Sequence, residues 1–351
     1  MTGQVSDPKS PDGPFESFLE SDAPDATPKP PAESIADFVE QIKETADKLL
    51  KDGASRGDAK LLASALKELR HCFRVFAQYR GIRKATVFGS ARTRPDHPAH
   101  RAAVEFSRRI SDAGWMVITG AASGIMEAGH LGAGREKSFG LNILLPFEQS
   151  ANAVLSGDSK LMNLRYFFTR KLVFIKESDA VVLFPGGFGT HDEAFETLTL
   201  VQTGKTHIFP IVLVDEPGGN YWKRWQEFVK DDLLARGYIA PEDLHLYKVT
   251  DSVEEAIREV TQFYRLYHSM RYVRGRLVLR LNSPLNPRKM ESIRVRFADI
   301  LVSGTFEQSG ALPAEANEPA LAELPRLIFH FNKQDAGRLR QLIDAINCDV
   351  D

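Results

Sequence analysis

One segment of this chain places strict limits on the fold around it. The apolar run at 179–184 ends in Pro185-Gly-Gly-Phe-Gly-Thr-His-Asp-Glu193, and a helical pattern continues to Val201. A strand that breaks into glycines and then opens a helix directs backbone N–H groups and the positive end of the helix dipole at one point. Phosphate binds readily at such a point. The segment therefore predicts a strand–loop–helix unit with an anion site at its turn.

Strand and helix patterns alternate in the same way from about residue 84 to residue 268. Short apolar strands are predicted at 85–89, 116–119, 140–145, 179–184, 208–214 and 246–249. Helices are predicted at about 98–113, 123–135, 162–177, 190–203, 221–236 and 252–268. Fully apolar strands bounded by helices indicate an α/β fold, a doubly wound parallel sheet of the Rossmann-like type. Ligands bind such sheets at the carboxyl ends of the strands.

The segment before this Rossmann-like domain, which we place at 81–270, has two parts. Residues 1–32 are predicted to be a disordered tail, because a stretch with seven prolines and few large apolar groups cannot offset its ordering entropy. Residues 33–80 carry two apolar stripes with helical spacing, which predict a helical hairpin packed on the sheet. In the second predicted helix, the basic residues Arg70, His71 and Arg74 face either a ligand or solvent, and a solvated face is the simpler interpretation.

The segment after the domain, at 271–351, is predicted to be a small α+β appendix. Alternating apolar residues indicate strands at 276–281 and 324–331, and a last helix is predicted at about 335–346. The run at 293–302 fits a helix or a strand.

Composition narrows the function classes. A hydrophobic fraction of 43% and a charged fraction of 26% are ordinary for a globular chain of 351 residues. A net charge of -2 gives no reason to expect DNA or RNA as partner. No apolar run approaches the ~20 residues of a membrane span, and no signal-peptide core is visible. Cys72 and Cys348 lie far apart without metal-ligand spacing, so we expect reduced thiols and a cytoplasmic location.

Three glycine-rich turns follow predicted strands and should meet at one cleft. Their candidate ligand-binding residues are Gly89 and Ser90 in the first turn, Gly120, Ser123 and Gly124 in the second, and Gly186, Gly187, Gly189 and Thr190 in the third. Thr190 is expected to act as helix N-cap or phosphate ligand. The dinucleotide fingerprint and the P-loop motif are both absent from the sequence. Convergence of the turns therefore predicts a phosphate-bearing ligand without naming it.

The segment Asn163-Leu-Arg-Tyr-Phe-Phe-Thr-Arg-Lys171 places positive charge on the predicted helix before the third turn. Arg165 is as consistent with a solvated helix face as with a ligand contact. Phe167 and Phe168 are expected to belong to the core rather than to stack on a base. His191 is expected to be a surface or supporting residue rather than a base, and no cluster suggests a metal site.

These residues resemble a known family. Phe-Phe-Thr-Arg-Lys171, followed by Pro-Gly-Gly-Phe-Gly-Thr-His-Asp-Glu193, is similar to the paired signatures of the LOG-type ("lonely guy") phosphoribohydrolases, also called lysine decarboxylase-like. The second family signature reads P-G-G-x-G-T-x-x-E, and the chain meets every fixed position. Val-Phe-Gly-Ser-Ala-Arg92 and Gly-Ile-Met-Glu-Ala128 resemble the longer bacterial members. The resemblance covers roughly residues 80 to 265.

The resemblance implies a reaction and its residues. Family members hydrolyse the N-glycosidic bond of a nucleoside 5′-monophosphate, such as AMP or a cytokinin ribotide, to free base and ribose 5-phosphate. Matching motif positions give Arg170 and Glu193 the catalytic roles and place Lys171 beside the substrate. The resemblance leaves open whether Arg170 or Glu193 contacts the base and which of the two contacts the ribose. The reaction needs no cofactor and no metal, and the resemblance implies a homodimer or higher homo-oligomer.

Two departures from the family pattern leave another class of function open. Gly120-Ala-Ala-Ser-Gly124 replaces a run of glycines, and Asp192 replaces a glutamate that many relatives carry. Similar folds occur in carriers of the molybdenum cofactor, so a non-catalytic nucleotide-binding or cofactor-binding protein is the alternative. Lysine decarboxylation is a weak third hypothesis, because no lysine has a convincing context for a Schiff base with pyridoxal phosphate.

Overall fold

The computed structural model describes residues 34–144 and 152–348. The tail predicted at 1–32 lies outside the described residues, as does the last residue of the strand predicted at 140–145.

A seven-stranded parallel sheet forms the centre of the described chain, in the order β4-β3-β2-β1-β5-β6-β7. The strands are β1 (Lys84–Phe88), β2 (Met116–Thr119), β3 (Ser138–Ile143), β4 (Leu161–Leu164), β5 (Ala180–Leu183), β6 (Ile211–Val214) and β7 (Lys248–Thr250). The strand order reverses between β1 and β5, which makes that point the topological switch where ligands bind in such sheets. The predicted doubly wound α/β fold is confirmed.

Helices cover both faces of this sheet and extend beyond it. They are α1 (Ile35–Lys51), α2 (Arg56–Phe76), α3 (Pro98–Asp112), α4 (Ile125–Ala133), α5 (Phe167–Glu177), α6 (Phe188–Gln202), α7 (Tyr221–Phe228), α8 (Val253–Phe263), α9 (Pro287–Arg296) and α10 (Ala336–Asn347). Successive residues of β5 are buried on opposite faces, Val182 against α3 and α8 and Val181 against the helices of the other face. Burial on both faces explains why the strands read as continuous apolar runs.

The sequence prediction missed β4, because it assigned Leu161–Leu164 to the helix at 162–177. This four-residue strand runs into α5 after two residues, and apolar spacing cannot separate a short strand from a helix start. Pairing with β3 decides the matter, and that contact is invisible in the local sequence. Likewise, the helix predicted to reach residue 268 ends at Phe263, and strand β8 (Tyr267–Val273) begins shortly afterwards.

The two N-terminal helices differ in how they pack. Ser34 and Ser55 each form a capping box that starts a helix, as their Ser-x-x-Asp spacing favours. Helix α2 buries Cys72, Val75 and Phe76 in the main core. Helix α1 buries none of its residues within the described chain. The predicted packing of a hairpin on the sheet therefore holds for α2 and not for α1. No described helix is both long and apolar enough to cross a membrane.

The C-terminal part forms a four-stranded antiparallel sheet among the described residues, in the order β10-β11-β9-β8. Its further strands are β9 (Arg276–Leu281), β10 (Leu301–Ser309) and β11 (Arg326–Phe331). The predicted small α+β arrangement is confirmed, and the ambiguous run at 293–302 divides between α9, a short 3₁₀ turn and the start of β10. Apolar residues of this sheet and of α10 join the core that α2 and α5 line, so the appendix is continuous with the central sheet.

Buried charges hold the appendix together. The carboxylate of Glu315 accepts hydrogen bonds from Arg280 at 2.7 Å and from Arg326 at 3.0 Å, and Glu318 also pairs with Arg280. All four side chains are buried. Loss of one partner would leave a guanidinium in the core without compensation, which costs far more than the loss of a surface pair.

We therefore expect Glu315→Gln to lower the unfolding free energy by about 3–5 kcal/mol, because it leaves the buried Arg326 facing a neutral amide and leaves Arg280 with Glu318 alone. The matched control is Glu307→Gln, whose carboxylate is 62% exposed and lies 3.7 Å from Arg276. The control should change stability by less than about 1 kcal/mol. Urea denaturation of both variants checks this, and similar losses in the two would contradict the assignment.

Candidate active site

The structure brings the three glycine-rich turns together at the carboxyl edge of the sheet. The N–H of Ser90 donates to the carbonyl of Pro185 at 3.1 Å, which joins the turns after β1 and β5. The N–H of Ile125 donates to the carbonyl of Ser90 at 3.0 Å, and the hydroxyl of Ser123 donates to the carbonyl of Ala91 at 2.8 Å. The turn after β2 is thereby held against the turn after β1. All three turns surround the switch point of the sheet.

The glycines of these turns fall into two groups. A Cβ atom at Gly89 would lie 2.6 Å from the side chain of Ile125, and Cβ atoms at Gly124 and Gly186 would collide with Ser90 and Thr190. These three glycines allow the turns to pack closely against one another. Gly187 and Gly189 have no described atom within 4 Å of such a Cβ, so the third turn is open on that side.

Helix α6 opens at Phe188, two residues earlier than predicted, and this changes the role expected of Thr190. Gly187 is the N-cap, and no described side chain caps the helix. Thr190 lies inside the first turn, where its N–H donates to the carbonyl of Gly187 at 3.0 Å. An uncapped N-terminus with open glycines provides N–H donors and positive potential to an anion.

Arg170 lies on α5 with its guanidinium against the second turn. Its Nε donates to the carbonyl of Leu141 at 2.8 Å, and its charged end lies 5.2 Å from the ring centre of Phe174. A Cβ atom at Gly120 would collide with the same guanidinium. The absence of a side chain at Gly120 therefore leaves the room that Arg170 occupies. Burial lowers the pKa of Arg170, and the carboxylate of Glu193 acts in the opposite direction.

Glu193 lies on α6 and is 7% exposed. Burial raises the pKa of Glu193 to about 7, while Lys171 and Arg170 act in the opposite direction. The Nζ atom of Lys171 lies 4.0 Å from Glu193 and 2.8 Å from Asp192, and it also bonds Glu196. Lys171, which the resemblance places beside the substrate, joins α5 to the carboxylates of α6 in this structure. The structure thus sets an acid with a near-neutral pKa beside two cations.

The aromatic pair before Arg170 is placed differently from its prediction. Phe167 and Phe168 are 52% and 51% exposed, so they do not belong to the core. They occupy the first turn of α5, whose inward side is taken by Thr169 and Val173. The prediction was wrong because three consecutive helical positions cannot all face inward.

Glu68 of α2 is a supporting residue that the sequence did not reveal. Its carboxylate accepts the N–H of Arg165 at 3.0 Å and the hydroxyl of Thr169 at 2.7 Å. These bonds tie α2 to the start of α5, which carries Arg170 one residue later. Glu68 and Thr169 are 101 positions apart, and no local pattern links them.

Tyr221 is a second such residue, and it supports the third turn. Its hydroxyl donates to the carbonyl of Gly186 at 2.5 Å, and the same oxygen lies 2.5 Å from Nε2 of His191. Because the hydroxyl donates to Gly186, it accepts from His191, whose proton is then on Nε2. His191 therefore has the supporting role that the sequence suggested.

The alanines that replace family glycines also have a structural basis. Ala121 adopts a φ of 60°, a conformation that residues other than glycine rarely take. Its N–H donates to the hydroxyl of Thr119 at 3.0 Å, and its carbonyl accepts from the N–H of Asn152 at 2.8 Å. His130 contacts both Thr119 and Asn152, so buried polar groups hold this turn in its strained form.

Among the described residues, no group of three or more metal-ligating side chains is present.

Comparison with known proteins agrees with this arrangement. Residues 119–260 match the family model described as "Possible lysine decarboxylase". A Mycobacterium tuberculosis protein named cytokinin riboside 5'-monophosphate phosphoribohydrolase is 38% identical over 91 residues, which are 25% of this chain and 46% of the relative. Residues 119–260 are therefore similar to LOG-type, lysine decarboxylase-like proteins. The Arabidopsis thaliana LOG1 protein of the same name is 31% identical over 94 residues, 27% of this chain and 42% of that relative. The LOG-type match thus spans less than half the length of these relatives.

Solved structures show weaker similarity to this chain. A molybdenum cofactor binding protein from Rippkaea orientalis has a TM-score of 0.37 at 17% identity, over 51% of this chain and 96% of the other. The molybdenum cofactor carrier protein of Chlamydomonas reinhardtii has a TM-score of 0.36 at 21% identity, over 52% and 97%.

The packing of Arg170 against the second turn is testable. We expect Gly120→Ala to displace the guanidinium, break its bond to Leu141, and lower the unfolding free energy by about 1–3 kcal/mol. Gly81→Ala is the matched control, because no described atom lies within 4 Å of a Cβ there. Urea denaturation and a crystal structure of the first variant check both effects. An undisturbed Arg170 at wild-type stability would rule out this packing role.

The raised pKa of Glu193 predicts a pH dependence of stability. The folded state holds the proton more tightly than the unfolded state, so stability should fall as pH rises from about 4.5 to about 7. Glu193→Gln cannot ionise, so its stability relative to wild type should increase over that window, by up to about 3 kcal/mol. Denaturation of both proteins between pH 4 and pH 8 measures the difference. A difference that stays constant with pH would contradict the buried-acid assignment.

Proposed function

We propose that this protein hydrolyses the N-glycosidic bond of a nucleoside 5′-monophosphate and releases free base and ribose 5-phosphate. The observation that carries the proposal is the buried Glu193, beside Arg170 and Lys171, on the helix whose open N-terminus follows the third turn. The names of the curated relatives support the same reaction class. AMP-like nucleotides and cytokinin ribotides are both candidate substrates.

The third turn is suited to bind the 5′-phosphate. Gly187 and Gly189 leave the start of α6 open, and Tyr221 fixes the carbonyl of Gly186 on the protein side of the turn. From Gly187 to Glu193 the helix advances about 9 Å, which leaves room for a ribose between the phosphate and the carboxylate. Anchoring the phosphate would hold the glycosidic bond near Glu193. Binding energy would thereby orient the reacting bond relative to the carboxylate.

Glu193 has the properties that cleavage requires. As the C1′–N bond breaks, its electron pair moves to the base, and positive charge develops on the ribose. An ionised Glu193 would stabilise that charge, and a carboxyl with a pKa of about 7 can take the proton from the water that adds to C1′. The buried guanidinium of Arg170 supplies positive charge near the departing base. The base takes up one proton from solvent while the carboxylate of Glu193 takes one from the attacking water, so the reaction consumes one water in all. No cofactor or metal enters this scheme.

We also propose that the protein acts as a homodimer or higher homo-oligomer in the cytoplasm. Large apolar side chains on α1, α2 and α5 are exposed, including Phe38, Ile42, Leu66, Phe167 and Phe168. Exposed apolar side chains of this size are enriched where proteins contact one another.

The hydrolysis proposal is tested by incubating the protein with nucleoside mono-, di- and triphosphates and detecting free base by chromatography. We expect release from monophosphates, and a loss of about 10²–10⁴-fold in kcat for Glu193→Gln because the acid–base group is removed. Nucleotide affinity, measured by calorimetry, should be retained. Glu196→Gln, one turn further along α6, is the control and should keep kcat within about tenfold.

Binding without release of base by the wild-type protein would contradict hydrolysis. Co-purification of a pterin chromophore in that case would favour the alternative, a non-catalytic carrier of a nucleotide or of the molybdenum cofactor. Equal loss of folding in Glu193→Gln and Glu196→Gln would instead assign Glu193 a structural role.

A further inference from the structure

A cavity lies on the opposite edge of the sheet from the glycine-rich turns. Its volume is about 450 Å³, which falls in the range of small-molecule sites. Its walls come from the end of α2, the 3₁₀ turn Ala77–Tyr79, and the residues that open β4. The residues that line it are His71, Arg74, Val75, Gln78, Tyr79, Ser159, Lys160 and Leu161. Because β4 enters the parallel sheet here, the cavity is separate from the carboxyl-edge site.

The charge around this cavity is positive. Arg74 and Lys160 line it, and no carboxylate belongs to the lining. Lys160 is 8% exposed and bonds Asp158 at 2.8 Å, but Asp158 also pairs with Arg135 at 3.0 Å. One carboxylate is thus shared between two cations. Within the described residues, Arg74 forms no ion pair, and its contact is with Nδ1 of His71 at 3.2 Å.

The contact between Arg74 and His71 sets the polarity of the imidazole. A guanidinium can only donate, so Nδ1 of His71 accepts and the ring proton is on Nε2. The imidazole is therefore a hydrogen-bond donor on its free side. Together with the hydroxyl of Ser159 and the amide of Gln78, the cavity offers donors and cations that suit an oxyanion.

Contacts with the protein core hold the part of the cavity wall that follows α2 in place. The ring of Tyr79 packs edge-on against Phe139 at 5.0 Å, and the buried Lys84 donates to the carbonyls of Tyr79 at 3.0 Å and Ile82 at 2.8 Å. These contacts fix the turn that follows α2. A preformed wall lowers the entropy cost of ligand binding.

We propose that this cavity binds a small metabolite through a phosphate or carboxylate group, and that the ligand acts on α5. The link is α2, which contributes His71 and Arg74 to the cavity. Glu68, one turn earlier on that helix, holds the N–H of Arg165 and the hydroxyl of Thr169. A ligand that orders the end of α2 thereby also stabilises the start of α5, next to Arg170.

Hydrogen exchange on the full chain tests this proposal, because it reports each site separately and does not require enzymatic activity. The probes are inorganic phosphate and citrate, each compared with potassium chloride at equal ionic strength. At ten times the dissociation constant of an effective probe, exchange in peptides covering 71–79 and 153–161 should slow roughly tenfold. A smaller slowing is expected across Phe167–Glu177. Slower exchange with phosphate indicates a phosphate ligand, and slower exchange with citrate indicates a carboxylate ligand. Slower exchange with both indicates a site that accepts either group.

Arg74→Ala should remove the protection at 71–79 and 153–161 and leave any phosphate effect at 186–193 intact. Arg70→Ala is the matched control, since Arg70 is exposed on the same helix and does not line the cavity. Unchanged exchange at the cavity with both probes, or equal protection in Arg74→Ala, would overturn the site. Protection at the cavity without any change across α5 would overturn the link to Arg170. None of these outcomes depends on whether nucleotides are hydrolysed.

Discussion

The contact between the turns after β1 and β5 is the constraint on which the rest of this structure depends. Chain order reverses between these neighbouring strands, so their carboxyl ends open a crevice that neither strand fills. The bond from Ser90 to Pro185 closes the base of that crevice. It requires backbone atoms to approach more closely than side chains permit, and Gly89, Gly124 and Gly186 supply the space. Once the turns are in contact, α5 and α6 are brought to the two sides of one site.

Burial of charge gives the site its chemical character. Glu193 would have an ordinary carboxyl pKa at the surface, and it is the loss of water around α6 that moves its pKa towards neutrality. Arg170 and Lys171 prevent a larger shift, because they favour the ionised form. Elements outside the site hold these groups in place: Glu68 fixes the start of α5, and Tyr221 fixes the third turn. Chemistry and packing are therefore inseparable here.

The outer segments are integral to the fold rather than attached to it. Side chains of α2, the C-terminal sheet and α10 enter the same core as the central strands. This continuity gives α2 two roles, since one end lines a basic cavity and its middle supports α5. The buried Glu315 cluster gives the C-terminal sheet its own polar centre, which ties the 3₁₀ turns Pro313–Glu315 and Pro319–Leu321 to β9 and β11. A chain of this size can thus connect distant surfaces to its central site through packed helices.

The sequence by itself determined the α/β class and the positions of the glycine-rich turns, because apolar periodicity and glycine clusters are local signals. The paired motifs made Arg170 and Glu193 candidate catalytic residues only through the family resemblance. Only the tertiary structure decided what depends on distant contacts. It separated β4 from α5 by pairing with β3, and it turned Phe167 and Phe168 outward. It placed Thr190 within the first turn of α6, and it paired Lys171 with the carboxylates of α6. Glu68 and Tyr221 had no local signal, since a hydrogen bond across 101 or 35 positions leaves no trace in the spacing of neighbouring residues.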